Sequence, residues 1–212
     1  SHFMSDFEEI LSEISRNKPK VVGISLNGGN RAVVKNFVRA IRHRIPDIVI
    51  VVGGYDCVYH GMAQYLFSDF DYMVIGEAEL TLENLVKELS AGKRPKDLIG
   101  VVSRYDTPGR AWINPPLPED LDAIDFPRYP WASHIWYQTY DRRHLIPITA
   151  SRGCNWSRCR FCGECFSFRV RNPAKVTDEI EYHTRYGFHT FHFNESDVNG
   201  DPQALYDLCS EI

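Results

Sequence analysis

IVIVVGG, residues 48–54, is a run of β-branched residues that ends in two glycines. A strand that is apolar on both faces is typical of the interior of a parallel sheet with helices on both sides. Three similar runs, 21–26, 72–75 and 99–102, alternate with longer amphipathic segments. This alternation predicts an α/β chain built from βαβ units around a parallel sheet.

The segments between the strands have the spacing and the stop signals of helices. Residues 30–44 place apolar side chains at helical intervals and are followed by Pro46. In such sheets ligands bind beyond the carboxyl ends of the strands, which here are residues 25–29, 53–55 and 76–79. Glycines in these loops let the backbone approach a large flat ligand closely, although they also suit tight turns between strands and helices.

Cysteines are concentrated at Cys154, Cys159, Cys162 and Cys165, directly after the strand-like run 146–151. They are too crowded to link distant segments, and 212 residues can form a core without disulfides. Zinc usually takes two separated pairs of cysteines, whereas a short loop can supply three thiolates to an iron-sulfur cubane and leave one iron open. The spacing favours an iron-sulfur site at the first three cysteines; a zinc site and unliganded thiols remain alternatives.

Residues 148–162, ITASRGCNWSRCRFC, resemble the first barrel strand and cluster loop of the cobalamin-binding radical S-adenosylmethionine (SAM) enzymes. The usual spacing in that family is C-x3-C-x-aromatic-C, and this chain has one residue more in the first gap. The resemblance implies a [4Fe-4S] cluster on Cys154, Cys159 and Cys162 whose open iron is chelated by SAM. It also implies that Phe161 lies near the adenine. Cys165 is expected to be a bystander, because the open iron is needed for SAM, and a reactive thiol or a fourth ligand are the alternatives.

The resemblance covers most of the chain. Residues 21–26, 48–54 and 72–79 resemble the strands and ligand loops of the family's cobalamin-binding domain, and LPEDLDAIDFPRY, 117–129, resembles its connector. The implied fold is a Rossmann-like cobalamin-binding domain at 1–104, a proline- and aromatic-rich linker at 105–143, and the first βα units of a partial (β/α)6 TIM-like barrel at 144–212. The residues expected at cobalamin are Ser25, Leu26, Asn27, Gly53, Gly54, Tyr55, Gly76, Glu77 and Glu79.

Two barrel units are expected in the last third of the chain. The first combines a strand at 148–151 with a helix at 175–186, and the second a strand at 189–195 with a helix at 202–212. Asn194, Glu195 and Ser196 fall at the carboxyl end of the second strand, where barrel enzymes keep their functional groups. They are expected to contact SAM or substrate, or else to cap the helix that begins near Asp201. A complete barrel of this kind needs about six units, so a fragment of a longer enzyme is expected.

The resemblance implies a cobalamin-dependent enzyme that cleaves SAM to a 5'-deoxyadenosyl radical and methylates an unactivated carbon. Ring closure and rearrangement are related outcomes. The D-x-H-x-x-G motif that supplies a histidine to cobalt is absent from the sequence, which favours base-off cobalamin. The implied partners are a small-molecule or peptide substrate and a flavodoxin- or ferredoxin-type reductant.

Two other classes of function remain as alternatives. One is a zinc-stabilised binding module without enzymatic activity. The other is a radical SAM methylthiotransferase-like enzyme without cobalamin, which is disfavoured because only Cys57 precedes Cys154. The net charge of −4 argues against binding to a nucleic-acid backbone, and no apolar run approaches the length of a membrane span. A cytoplasmic protein with neither nucleic-acid nor membrane partners is therefore predicted.

Overall fold

The computed structural model describes residues 2–58, 69–108, 120–129, 144–164 and 166–212. They form two compact units, Ser1–Leu117 and Pro118–Ile212. The predicted linker is described only at 105–108 and 120–129, and the latter segment is part of the second unit. Cys165 lies outside the described residues.

The first unit is a Rossmann-like layer structure with a four-stranded sheet in the order β1-β2-β3-β4. Strands β1, β2 and β3 are parallel, whereas β4 runs antiparallel to β3. Its elements are α1 (His2–Asn17), β1 (Val21–Ser25), α2 (Arg31–Arg44), β2 (Val49–Gly53), β3 (Tyr72–Val74), α3 (Glu79–Ser90) and β4 (Val101–Ser103).

The direction of β4 corrects the prediction that the run 99–102 continues the parallel sheet. The loop between α3 and β4 has positive φ at Gly92, Asp97 and Gly100, and it returns the chain to the carboxyl end of β3, where Val101 pairs with Val74. Apolar patterning identifies a strand but carries no information on its direction.

Side chains of β2 alternate between two cores, as the doubly apolar run predicts. Ile50 and Val52 belong to a buried cluster with residues of α1 and α2, including Leu11, Val38 and Ile41. Val49 and Val51 face the opposite side, where Leu85 and Leu89 of α3 cover them. Helices therefore cover both faces of the sheet.

The second unit contains the two expected βα units. Strands β5 (Leu145–Ile148) and β8 (Thr190–Phe193) pair in parallel, and Ile146 lies opposite Phe191. They are followed in the chain by helices α4 (Pro173–Arg185) and α5 (Pro202–Glu211). Within the described ranges, no helix is long and apolar enough to cross a lipid bilayer.

The first barrel strand lies earlier than the predicted 148–151. Ile146 and Ile148 are buried against Val176 of α4 and Leu208 of α5, and this alternation ends at Ile148. Ser151 belongs to a separate strand, β6 (Ser151–Arg152), which pairs antiparallel with β7 (Arg169–Val170). The polar residues after Ile148 thus begin a new element rather than extend the strand.

Both helices of the second unit begin with a side-chain cap followed by proline. Asn172 accepts a hydrogen bond from the Ala174 amide at 2.9 Å and precedes Pro173. Asp201 caps α5 by accepting from the Gln203 and Ala204 amides, both at 3.1 Å. Because Asp201 fills the cap, the alternative capping role for Asn194, Glu195 and Ser196 is wrong.

Arg171 joins three segments of the second unit. Its guanidinium donates to Glu179 of α4 at 2.5 Å, to the Thr149 carbonyl at 2.8 Å and to Asp122 at 3.2 Å. Glu179 is 1% exposed, and burial raises the pKa of its carboxyl although Arg171 opposes that shift. This buried pair holds the 120–129 segment and α4 to the end of β5.

Candidate cofactor sites

The loops that follow β1 and β2 are joined backbone to backbone at the carboxyl edge of the sheet. The Leu26 amide donates to the Gly53 carbonyl at 2.7 Å, and the Asp56 amide donates to the Leu26 carbonyl at 3.3 Å. Gly54 has a φ of 102°, and an added Cβ would lie 2.7 Å from the Leu26 carbonyl and 2.8 Å from the Ser25 hydroxyl. Glycine is therefore required at position 54 for the two loops to approach this closely.

Two asparagines order the loop between β1 and α2. The Asn30 side chain accepts from the Asn27 amide and donates to the Ser25 carbonyl, both at 2.9 Å. The Asn27 side chain accepts from the Gly29 amide at 3.0 Å. The backbone of this exposed loop is thus held by its own side chains.

An ion pair between Arg31 and Asp56 lies behind the same edge. The Arg31 guanidinium bonds both carboxylate oxygens, and its second nitrogen lies 2.9 Å from Oδ1. These hydrogen bonds lower the pKa of Asp56 although the residue is only 6% exposed. The neighbouring Cys57 is fully buried, and burial, followed by the charge of Asp56, raises its thiol pKa to about 12.

The edge presents mainly backbone, with one exposed aromatic ring. A Cβ at Gly28 would meet nothing within 4 Å, and one at Gly53 would come no closer than 3.8 Å to its nearest neighbour. Tyr55 is 67% exposed, whereas the Leu26 side chain is fully buried in the core. A surface of glycine backbone beside an exposed ring fits a large flat group such as a corrin. Leu26 has only its backbone at this edge.

The cysteines lie on a loop closed by a short neck in the second unit. The neck is the two-residue ladder in which Ser151 pairs with Val170 and Arg152 with Arg169. Gly153 follows with a φ of 81°, packed against the carbonyls of Phe166 and Ser167. We call residues 153–168 the cysteine loop; the neck positions it just beyond the carboxyl end of β5.

Backbone amides within the cysteine loop point at two of the sulfurs. The Ser157 amide donates to Cys154 Sγ at 3.5 Å, and the Glu164 amide donates to Cys162 Sγ at 3.4 Å. Amide–sulfur hydrogen bonds of this kind stabilise cluster-bound thiolates. Cys159 and Cys162 are exposed, and Phe161 beside them is 93% exposed.

The described residues contain no group of three or more His, Cys, Asp or Glu side chains placed to hold a metal ion. The three thiols share one exposed loop but are not closed around a common centre. Three thiols, two of them with amide donors at the sulfur, are donors of the type that an iron-sulfur cluster takes.

The loop after β8 reaches both the end of β5 and the cysteine loop. The Asn194 amide donates to the Ile148 carbonyl at 3.0 Å, and Glu195 Oε1 accepts from the Ala150 amide at 2.5 Å. Glu195 Oε2 is buried and has no hydrogen-bond partner in the part of the chain that the structure describes. The Ser196 hydroxyl donates to Glu164 at 2.5 Å, so Ser196 contacts the cysteine loop, whereas Asn194 and Glu195 are held at the end of β5.

Sequence reasoning missed the polar residues that support both sites. Glu164 lies between the third and fourth cysteines, and Asp197 directly follows the predicted trio. Asp197 accepts from the Asn155 amide at 3.2 Å and lies 3.6 Å from Cys154 Sγ. Because Asp197 is a carboxylate that closely follows β8, the sequence could have indicated it as a candidate site residue. The pairing of Arg31 with Asp56 had no local signal, because 25 residues separate them.

Residues 2–86 match the B12 binding domain family. An anaerobic magnesium-protoporphyrin IX monomethyl ester cyclase of Synechocystis is 26% identical to this chain over 219 residues, which cover 96% of the chain and 42% of the cyclase. An uncharacterized methyltransferase of Pyrococcus horikoshii is 26% identical over 214 residues, which cover 97% of the chain and 46% of that protein.

Among solved structures, the radical SAM methyltransferase TsrM of Kitasatospora setae, with tryptophan substrate and a SAM analogue bound, shares the fold. It superposes with a TM-score of 0.72 at 20% identity, over 99% of this chain and 43% of TsrM. The same enzyme with cobalamin and a [4Fe-4S] cluster bound gives a TM-score of 0.71. The chain spans less than half the length of each of these proteins.

Proposed function

We propose that this chain is part of an enzyme that methylates an unactivated carbon. Residues 2–86 match the B12 binding domain family, and the chain is similar to methyltransferases and to a cyclase. The observation that carries the proposal is the occurrence in one chain of two cofactor sites. A glycine-lined sheet edge lies in the first unit and a three-cysteine loop in the second.

The cysteine loop supplies the cluster ligands in this proposal. Cys154, Cys159 and Cys162 bind as thiolates, and the Ser157 and Glu164 amides stabilise the sulfur charge. When bound, the [4Fe-4S] cluster supplies the electron that cleaves the sulfonium of SAM, and cobalamin supplies the methyl group. Phe161, exposed beside the third cysteine, offers an apolar face to the adenine.

Glu195 and its neighbours provide the polar contacts to SAM. The buried Oε2 of Glu195 is an acceptor without a hydrogen-bond partner among the described residues, and it suits the N–H donors of a methionyl amino group. The bond from the Ala150 amide fixes the other oxygen and thereby orients the carboxylate. Asn194 is held by its backbone to the end of β5, which leaves its side-chain amide for SAM or substrate.

Cobalamin lies on the carboxyl edge of the first unit. Ser25, Asn27, Gly53 and Gly54 offer backbone and small side chains to it, and Tyr55 an exposed ring. Gly76, Glu77 and Glu79, with the backbone of Leu26, complete the proposed set. None of the loops 25–30, 53–58 and 75–79 contains a histidine, so these loops would hold cobalamin without supplying a histidine to it.

The complete enzyme takes electrons from a flavodoxin- or ferredoxin-type reductant and acts on a small molecule or peptide. Methyl transfer is favoured because a methyltransferase is among the sequence relatives and another shares the fold. The related cyclase makes ring closure the alternative outcome. Product analysis separates the two, since only methyl transfer moves a labelled methyl group from SAM to substrate.

The cofactor assignments are tested by anaerobic reconstitution with iron and sulfide. About four irons per chain are expected, with a paramagnetic resonance signal of the reduced protein that changes when SAM is added. Cys159→Ala should lose the signal, whereas Cys209→Ala, which changes an exposed cysteine outside the loop, should retain it. Stoichiometric zinc without a cluster signal would overturn the assignment.

Cobalamin binding is tested with two glycine variants. Gly54→Ala should weaken retention of cobalamin on gel filtration, because its Cβ forces apart the loops after β1 and β2. Gly92→Ala is the matched control, since its φ of 76° is also positive but a Cβ there meets nothing within 4 Å. Equal retention by both variants would contradict a site at this edge.

A further inference from the structure

The loop after β8 contacts both flanks of the cysteine loop. On the first flank, Asp197 Oδ2 accepts from the Asn155 amide at 3.2 Å and from Cys154 Sγ at 3.6 Å. The Asn155 side chain donates in return to the Gly200 carbonyl at 2.9 Å. Three contacts therefore tie the first cysteine and its neighbour to residues 197–200. The two made by Asn155 do not depend on the thiol proton of Cys154, which is lost when the sulfur binds metal as a thiolate.

On the second flank, the same loop is held through Glu164. The Ser196 hydroxyl donates to Glu164 Oε2 at 2.5 Å, while Glu164 Oε1 accepts from the Phe166 amide at 3.2 Å. The Glu164 backbone amide donates to Cys162 Sγ. Ser196 is thus linked to the third cysteine through a single residue.

We propose that Ser196 and Asp197 are positioning residues, which clamp the two flanks of the cysteine loop and hold it ready for its cluster. The inference rests on the proposed function for the identity of the metal group, but the clamp itself is a property of the metal-free chain. The neck closes only the base of the loop, whereas the clamp fixes the segments that carry Cys154 and Cys162.

The clamp also couples two binding events. Asn194 and Glu195, proposed to contact SAM, directly precede Ser196 and Asp197 in the same loop. A ligand that orders this loop strengthens its hold on the cysteines, and by reciprocity a bound cluster orders the loop for the ligand. SAM should therefore slow the loss of iron from the protein.

Limited trypsin cleavage of the metal-free chain tests the clamp directly. Arg158 and Arg160 are exposed in the cysteine loop and give cleavage sites between the clamped flanks. Ser196→Ala removes one hydrogen bond to a carboxylate, and Asp197→Ala removes one such bond and the contact with Cys154 Sγ. A hydrogen bond that contributes about 1 kcal/mol changes an opening equilibrium about five-fold, so each variant should raise the cleavage rate by at least about that factor. Asn199→Ala, an exposed change in the same loop that removes none of these contacts, is the matched control.

Conservative variants distinguish the loss of a specific contact from a general destabilisation of the loop. Ser196→Thr keeps the hydroxyl, and Asp197→Asn keeps an acceptor for the Asn155 amide, so both should cleave at the wild-type rate. After reconstitution, the two alanine variants should release iron to a chelator about five-fold faster than wild type, and SAM should slow release more in wild type and the conservative variants than in the alanine variants.

The outcomes distinguish this proposal from the function on which it rests. The clamp would be overturned if Ser196→Ala and Asp197→Ala show the same rates of cleavage and of iron release as Asn199→Ala. A wild-type chain that takes up no iron, while the alanine variants still cleave faster, would support the clamp and overturn the cluster assignment.

Discussion

Gly153→Ala is expected to open the neck of the cysteine loop. Position 153 has a φ of 81°, and an added Cβ would lie 2.5 Å from the Phe166 carbonyl oxygen and closer still to that of Ser167. Ordinary contact begins near 3.4 Å, so the two strands of the neck must separate by more than about 0.9 Å. Both obstacles are backbone atoms, which cannot turn away as a side chain can.

The size of the effect follows from two contributions. A left-handed backbone costs alanine about 1–2 kcal/mol, partly offset by about 0.4–1 kcal/mol from the stiffer unfolded chain. Overpacking against fixed atoms adds about 1–3 kcal/mol. We therefore expect Gly153→Ala to lower the free energy of unfolding of the second unit by about 3 kcal/mol.

Gly187→Ala is the matched control, because its φ is 89° and a Cβ there meets nothing within 4 Å. It should cost only about 1 kcal/mol, since it carries the backbone contribution alone. Urea denaturation followed by circular dichroism measures the free energy of unfolding of both variants. Gly92→Ala changes only the first unit, so the transition that it shifts is the one that belongs to that unit. If Gly153→Ala and Gly187→Ala agree within about 0.5 kcal/mol, the neck is not rigid and the reasoning fails.

Four further outcomes are expected. Arg171→Ala leaves the Glu179 carboxylate buried without its ion-pair partner and should destabilise the second unit by about 3 kcal/mol in urea denaturation; a loss below about 1 kcal/mol would contradict the buried pair. Burial raises the pKa of Glu179 above 4.5, so the contribution of Glu179 to stability is full below pH 4.5 and is lost as pH rises through the folded-state pKa. Glu179→Gln should flatten this part of the curve of unfolding free energy against pH. An unchanged curve would refute the raised pKa. With Cys57 buried and its pKa raised to about 12, iodoacetamide at pH 8 should modify Cys159 in the native metal-free chain and leave Cys57 intact by mass spectrometry, whereas equal modification would show that Cys57 is accessible. Asp201→Ala removes the cap of α5 and should cost about 1 kcal/mol in the same denaturation assay, while Asp201→Asn should be nearly neutral.

Features set by local pattern were predictable from the sequence. The doubly buried β2, the amphipathic α2 ended before Pro46, and the two βα units after residue 144 all follow from periodicity and stop signals. The match of residues 2–86 to the B12 binding domain family and the Rossmann-like fold were also expected, because ligand-loop glycines after apolar strands are a local motif.

Features set by distant contacts were not predictable. The antiparallel β4 depends on the path of the preceding loop, and the early end of β5 depends on where Val176 and Leu208 cover it. The contacts of Asp197 join segments more than 40 residues apart, so no pattern within either segment indicates these contacts. Cys165 lies outside the described residues, and its expected role as a non-ligand stays a prediction.

The two-residue neck of β6 and β7 gives the cysteine loop freedom to change in length. Because residues 153–168 leave and rejoin the barrel at one narrow point, an inserted residue shifts neither β5 nor α4 in register. Loop closure of this size changes by well under about 0.1 kcal/mol per added residue. The extra residue between Cys154 and Cys159 is therefore nearly neutral for folding, and loops of different cysteine spacing should be exchangeable between chains that share this neck.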